Sequence, residues 1–277
     1  MNPVALTKII ANALSEDLGM GDLTTNAIFE SKEKATGIFT AKADGVLAGL
    51  DVVQETYNQL GELVSIDFKK KDGDAVSKGE EIATVQGSVK TLLSGERVIL
   101  NLVQHMSGIA TQTAELVAKL DDPSISVVDT RKTLPGLRVL QKYAVSCGGG
   151  KNHRFRLDDG IMIKDNHIKA AGGIKEAIAK AQSNVGHMIK IEVETESKAQ
   201  VLEAVEHGAD VIMLDNRSPE EVKEMVGIIP DSIIVEISGG ITSENISTYK
   251  GCGAHVISVG ALTHSVKALD ISFNLHS

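Results

Sequence analysis

From Pro123 onward the chain repeats one unit: a short, strongly apolar run, a polar or glycine-rich turn, then a helix-length segment. The runs read ISVVDT, GIMIKDN, MIKIEVET, VIMLDN, IIVEISGG and HVISVG. Helix-length segments follow all but the last, among them IKEAIAKAQSN, SKAQVLEAVEHG and PEEVKEMVG. Strands that are apolar on both faces and alternate with helices form a parallel sheet. So many βα units without a break in composition favour a barrel over an open sheet.

The first third of the chain has a different rhythm. Val4 to Asp17 places Leu6, Ile9, Ile10, Ala13 and Leu14 on one helical face, which stops at Gly19, and GMGDLTT reads as a loop. From Ala35 to Gln86 short alternating strands follow (TGIFTAK, GVLAG, LVSIDFKK, EEIATVQG), with a short helix over Val52 to Leu60. KKDGDAVSKGEEIATVQG has the turn-and-strand rhythm of lipoyl or biotinyl carriers, but no lysine sits at a suitably flanked hairpin tip, so it reads as scaffold. A helical period returns with Ser94 as the candidate N-cap and runs to Leu120, with a kink or break expected at Ser107-Gly108. The domain boundary falls there.

Charge is uneven. Between Arg131 and Lys169 stand nine Lys/Arg against Asp158, Asp159 and Asp165, leaving 19 basic and 34 acidic residues in the rest of the chain. A basic island in a protein of net charge −9 suits an anionic small molecule in a concave site. Nucleic acid more often takes a basic face with interleaved aromatics, and only Tyr143 and Phe155 are at hand. Cys147 and Cys252 make no disulfide framework and fit a reducing compartment. With no signal-like or membrane-length apolar segment, a soluble cytoplasmic protein is expected.

In a barrel, chemistry gathers where strands end. If Val128, Ile163, Ile191, Val193, Ile212, Leu214, Val235 and Ile237 face the helices, strand parity turns Asp129, Arg131, Lys164, Glu192, Glu194, Asp215, Glu236, Ser238, Ser258 and Gly260 inward. A structural ion-pair network is the plainer account of those charges; a polar floor that receives a charged ligand is the sharper one. Arg131, Lys132, Arg154 and Lys164, with His153 nearby in sequence, form a cationic wall for carboxylate or phosphate. Glu194 and Asp215 end adjacent strands and suit Mg²⁺. ISGG (237–240) and SVGA (258–261) end the last two strands before helices, with Thr242, Ser243 and Thr263 as possible caps, and two such turns suggest a phosphate site. CGGGKNH lacks P-loop spacing, His153 and His167 lack zinc-hydrolase spacing, and Tyr143 and Cys147 read as helix packing.

These motifs resemble the carboxylating nicotinate-nucleotide pyrophosphorylases, or quinolinate phosphoribosyltransferases. The likeness runs through EDLGMGDLTT, GERVILNLVQHMSGIAT, DTRKTLPGLR, CGGGKNHRFRLDDGIMIKDNH, IEVET, IMLDN, EISGGI and ISVGALTHS. It implies an N-terminal α/β sandwich (1–108, joined by 270–277) and an incomplete seven-stranded α/β, TIM-like barrel (109–269). It also implies a homodimer in which one subunit's first domain covers the other's barrel mouth. The implied reaction joins quinolinate to 5-phosphoribosyl-1-pyrophosphate with Mg²⁺, giving nicotinate mononucleotide, pyrophosphate and CO₂. By matching position, Arg97, Arg131, Lys132, His153, Arg154 and Lys164 hold the quinolinate carboxylates, and Thr130 joins them as substrate-binding. Glu194 and Asp215 take the ribose hydroxyls and Mg²⁺, and Lys132 joins them as catalytic. Ser238, Gly239, Gly240, Val259, Gly260 and Ala261, in the two Gly turns, hold the 5-phosphate, and His264 completes the substrate-binding set. Two other readings stay open from the residues: transfer to another aromatic acid, or a non-catalytic phosphometabolite sensor. A barrel aldolase with Lys164 as Schiff-base lysine is a third.

Overall fold

The computed structural model describes residues 1–30 and 32–276. Asn2 starts the first helix, α1 (Pro3–Leu18): its Oδ1 accepts from the N–H groups of Val4 and Ala5, and Pro3 takes a first-turn position that needs no donor. GDLTT, expected as loop, contributes to a short helix, α2 (Leu23–Ile28), whose N-cap Asp22 accepts from Thr25 N–H at 3.0 Å. Six residues carry too little periodicity to reveal such a helix. There follow β1 (Lys34–Ala41), β2 (Gly45–Val46), α3 (Leu50–Gln59), β3 (Ser65–Phe68), β4 (Ala75–Val76), β5 (Glu81–Ser88) and α4 (Val89–Leu120). Then come β6 (Ser126–Val128), α5 (Arg138–Cys147), β7 (Ile161–Ile163), α6 (Asp165–Ala171), α7 (Ile174–Asn184), β8 (Ile191–Thr195) and α8 (Lys198–Glu206). The chain closes with β9 (Val211–Asp215), α9 (Pro219–Val226), β10 (Ile234–Ser238), β11 (Val256–Ser258), α10 (Ala261–His264) and β12 (Ile271–His276).

By its contacts the chain divides into two compact units. The first takes Met1–Ala114, Thr133–Gly149 and Leu262–Ser277. Its antiparallel sheet runs β12-β1-β5-β3. The C-terminal strand thus lies beside β1, where the Phe39 and Phe273 rings meet at a tilt of 41° with centroids 4.6 Å apart. Helix α4 starts at Val89, so Ser94 is inside it rather than its cap, and its Oγ lies 3.5 Å from Asp22 Oδ2. The helix also runs unbroken through Ser107-Gly108. Ser107 Oγ accepts the Ala48 N–H at 3.0 Å, and a Cβ on Gly108 would stand 2.2 Å from the Lys267 carbonyl oxygen. The small pair serves close chain approach, not a kink. Helix α5, between β6 and β7 in sequence, groups with this unit.

The second unit is Glu115–Lys132 and Gly150–Ala261. Its six strands run β6-β11-β10-β9-β8-β7, all parallel. The seventh position is a single parallel bridge, Lys151 beside Val128. Among the described residues no ladder joins Lys151 to β7, so the barrel is incomplete. Ile163, Ile191, Val193, Ile212, Leu214, Val235, Ile237 and Ile257 are buried, as are Ile174, Ile178, Val201, Ala204 and Val222 on the helices. Each such side chain stabilises the fold by roughly 1.5–3 kcal/mol. The SPEE sequence starts α9 with a reciprocal box, Ser218 N–H to Glu221 and Glu221 N–H to Ser218 Oγ. The turns after the last strands differ from expectation. ISGG leads to a 3-10 turn (Ile246–Tyr249), Thr242 N–H donates to Asn245 Oδ1, and Thr263 lies within the short α10.

Candidate active site

The ends of β6, β7 and β10 and the segment after Lys151 surround a cavity of about 290 Å³. Thr130, Arg131, Lys132, His153, Arg154, Lys164 and Ser238 line it, together with Glu236, Ser258, Met162 and Met213. Strand parity explains the gathering: Met162 and Lys164 just beyond its strand, Met213, and Glu236 and Ser238 alternate with the buried Ile163, Leu214 and Ile237, whereas Asp215 and Glu194 stand outside this lining. Thr130 Oγ1 accepts the Lys132 N–H at 3.0 Å and sets the turn that carries Arg131 and Lys132.

The wall lacks internal compensation at two points. Arg131 Nε is buried with no hydrogen-bond partner. Burial, then the charge of Arg131, hold the Arg154 guanidinium below its usual pKa, although an arginine stays charged. Like charges that crowd a cavity are relieved by an anion between them. Arg154 is held by one Nη1 bond to the Gly160 carbonyl, 2.7 Å.

Beneath the wall, Asp129 is wholly buried. Its carboxylate accepts from Asn152 Nδ2 (2.6 Å) and from the His153 N–H (3.0 Å), fixing the GGGKNHR loop. His153 Nε2 lies 3.3 Å from Glu192 Oε2 and 3.4 Å from Glu236 Oε2. Burial alone would lower the imidazole pKa, and the bonds to Glu192 and Glu236 pull it upward. Burial pushes the Glu192 carboxyl up, and the nearby Glu236 adds to this, against the pull of His153. Arg154 N–H donates to His153 Nδ1 at 2.7 Å, and an acceptor at Nδ1 requires the singly protonated ring rather than the charged one, so this contact holds the ring neutral against the upward pull of the acids. Both forms keep a proton on Nε2.

Glu194 and Asp215 end the neighbouring strands β8 and β9. Lys164 Nζ reaches Glu194 Oε2 at 2.5 Å, an ion pair where a Schiff-base lysine would need a free amine. The Asp215 carboxyl is raised by burial and then by the charge of Glu194. A carboxylate raised by the charge of a neighbouring carboxylate marks a place where a hard divalent cation is favoured, and the oxygens of this pair fit Mg²⁺. Gly239 (φ +87°) and Gly240 (φ +64°) form a left-handed turn. A Cβ on Gly239 would stand 2.2 Å from Asn216 Oδ1 and 3.0 Å from Asp215 Oδ1, so only glycine permits the approach to the carboxylate strand. At the other turn, Val259 N–H is committed to the Val128 carbonyl (2.9 Å), and Ala261 opens α10. His264 is exposed, with Nδ1 2.6 Å from Ser265 Oγ. Arg97, on α4, is 58% exposed and 3.8 Å from Glu96.

Family comparisons cover this whole arrangement. The model of the quinolinate phosphoribosyl transferase C-terminal domain matches residues 109–274, and that of the N-terminal domain matches 22–107. The chain belongs to the quinolinate phosphoribosyltransferase family. A Bacillus subtilis relative named probable nicotinate-nucleotide pyrophosphorylase [carboxylating] is 51% identical over 99% of this chain and 95% of its own. A Nicotiana tabacum relative named quinolinate phosphoribosyltransferase [decarboxylating] 2a, mitochondrial, is 39% identical over 98% of this chain and 82% of its own. The crystal structure of NadC from Streptococcus pyogenes superposes with a TM-score of 0.97 at 43% identity, over 100% of this chain and 98% of that one.

Set beside this quinolinate phosphoribosyltransferase fold, the sequence reading missed Met162 and Met213, two apolar side chains in the cavity lining. Both sit in runs read as uniformly buried strand, and the same parity that turned Lys164 and Asp215 inward would have exposed them. It also missed that Glu192 and Glu236 converge on His153, because three separate strand and loop segments meet only in the fold.

Proposed function

We propose that this protein transfers the phosphoribosyl group of 5-phosphoribosyl-1-pyrophosphate to the ring nitrogen of quinolinate, releasing pyrophosphate and CO₂ and leaving nicotinate mononucleotide for NAD synthesis. The observation that carries this reading is the unpartnered Arg131 Nε beside Arg154 in a cavity that Lys132 and Lys164 also line. A dicarboxylate answers that surplus, and the cation count favours a diacid over a monoacid.

In this reading Thr130, Arg131, Lys132, His153, Arg154 and Lys164 hold the quinolinate carboxylates and aim the ring nitrogen. The uncharged ring edge lies against Met162 and Met213. Ser238, Gly239, Gly240, Val259, Gly260, Ala261 and His264 bind the 5-phosphate, Val259 through its place in the turn. Glu194 and Asp215 hold the ribose hydroxyls and stabilise the positive charge that grows on the sugar as its bond to pyrophosphate breaks. The same two carboxylates would bind Mg²⁺, whose charge assists the departing pyrophosphate. Once the ring nitrogen carries the sugar, the bond to the adjacent carboxylate breaks and CO₂ leaves; the electron pair stays on that ring carbon, where the neighbouring positive nitrogen stabilises it, and a proton from water takes the place of the carboxylate. That step requires no dedicated acid or base, so the protein acts chiefly by positioning two anions, with Lys132 counted among the residues at the reacting centre.

We further propose a cytoplasmic homodimer in which Arg97 of each subunit reaches the diacid bound by the other. No helix among the described residues is long and apolar enough to cross a membrane. Calorimetry with quinolinate tests the pocket. Losing one partner of a buried charged contact costs roughly 2–5 kcal/mol, so Arg154→Ala should weaken quinolinate by about thirtyfold or more. Binding of 5-phosphoribosyl-1-pyrophosphate should change little. Unchanged quinolinate affinity in the folded variant would remove Arg154 from the site.

A further inference from the structure

Two acids face one imidazole at the base of the cavity, and ion pairing needs only one. Glu192 and Glu236 are 94% and 97% hidden from solvent, at 6% and 3% exposure. The second oxygen of each, Oε1, has no hydrogen-bond partner. Burying a carboxylate with an unmet oxygen costs free energy that a pair of apolar side chains would not. The arrangement therefore calls for a use beyond stability.

A cation is the first candidate, since the three side chains bring their ligand atoms within 4.8 Å of one another. The other ring nitrogen argues against it. His153 Nδ1 accepts the Arg154 N–H, which leaves the hydrogen on Nε2, and a protonated nitrogen cannot coordinate a metal. What Nε2–H can do is donate to both acids at once, at 3.3 and 3.4 Å. This shared donation fixes the rotation of the ring. The ring's opposite nitrogen then fixes the Arg154 backbone N–H, while Asp129 fixes the His153 N–H.

We infer that Glu192 and Glu236 are positioning residues that clamp the His153 ring and, through its Nδ1, the backbone turn presenting Arg154 to the diacid. The inference rests on the proposed quinolinate pocket. Neither acid touches the substrate carboxylates in this scheme. They set the geometry of the residues that do.

The sign of the effect separates this role from simple electrostatics. Removing a negative charge from the floor should by itself tighten binding of a dianion. Loosening the clamp should weaken it. Glu236→Met keeps the volume, removes the acceptor and leaves His153 paired with Glu192, so the protein should fold. Its quinolinate KM should rise by about tenfold, the scale of one charged hydrogen bond. The KM for 5-phosphoribosyl-1-pyrophosphate should stay within about twofold by the same reasoning, and the melting temperature should not fall. Glu236→Gln, which restores a carbonyl acceptor, should recover most of the loss, and the Glu192→Met and Glu192→Gln pair should repeat the pattern. A lower quinolinate KM in both Met and Gln variants, equal rises in the two KM values, or stoichiometric Zn²⁺ binding that depends on Glu236 would each overturn the clamp. Arg154→Ala serves as the control. If it too leaves the quinolinate KM unchanged, the pocket reading fails; if it raises the KM while Glu236→Met does not, only the clamp fails.

Discussion

Lys164 Nζ stands 2.5 Å from Glu194 Oε2, so the cationic wall and the carboxylate strand ends share one ion pair. Lys164 also pulls down the Asp215 carboxyl, which burial and Glu194 raise. Lys164→Met removes that pull and should raise the Asp215 pKa further. A carboxylate with a raised pKa in the folded protein is protonated, and lost as a ligand, at a higher pH as acidity increases. The acidic limb of kcat/KM for 5-phosphoribosyl-1-pyrophosphate should therefore move to higher pH in the variant, and added Mg²⁺ should move it back. A limb that stays in place would show that Asp215 does not titrate in the reaction.

Glu194→Gln and Asp215→Asn keep shape and remove charge. Both should fold with nearly unchanged melting temperature yet lose turnover, since charge stabilisation at a reacting centre is typically worth about 100- to 1,000-fold in rate. Excess Mg²⁺ should restore only part of it. Wild-type kcat in either variant would make the pair structural.

The Arg97 proposal predicts complementation. Arg97→Ala and Glu194→Gln are each expected to be inactive alone. If each site takes Arg97 from one subunit and Glu194 from the other, a mixed dimer has one whole site and one with both lesions. With random exchange, activity should return to about a quarter of wild type by the symmetry of a twofold dimer. Verified mixed dimers that stay inactive would confine Arg97 to its own chain.

Cys147 supplies a check on what the site does not use. Burial, then the charge of Asp72, push its thiol up to about 11. Burial also raises the Cys252 thiol. Raised thiol pKa values mean little thiolate at neutral pH, so both should react slowly with a thiol reagent at pH 7.5 and faster as the pH climbs. Rapid labelling of the native protein with loss of activity would contradict this account.

Much of the second unit was legible because strand parity and burial are local: Ile212 and Leu214 alternate with Met213 and Asp215, and the fold follows that alternation. What escaped depended on distant partners. The start of α4 at Val89 and the passage of Ser107 and Gly108 through its middle are set by contacts with Ala48 and Lys267. The 3-10 turn after ISGG reflects Asn245 taking the Thr242 N–H, a local bond that helical periodicity does not report. The meeting of His153 with Glu192 and Glu236 needs tertiary structure, since parity turns the acids inward but names no partner.

The most direct test of the central claim follows CO₂ from quinolinate labelled in the carboxyl adjacent to the ring nitrogen, with and without 5-phosphoribosyl-1-pyrophosphate. Transfer before decarboxylation predicts labelled CO₂ only when the phosphoribosyl donor is present, in equal amount to the pyrophosphate formed. Labelled CO₂ without the donor, or pyrophosphate released with nicotinate in place of quinolinate and no CO₂, would contradict it.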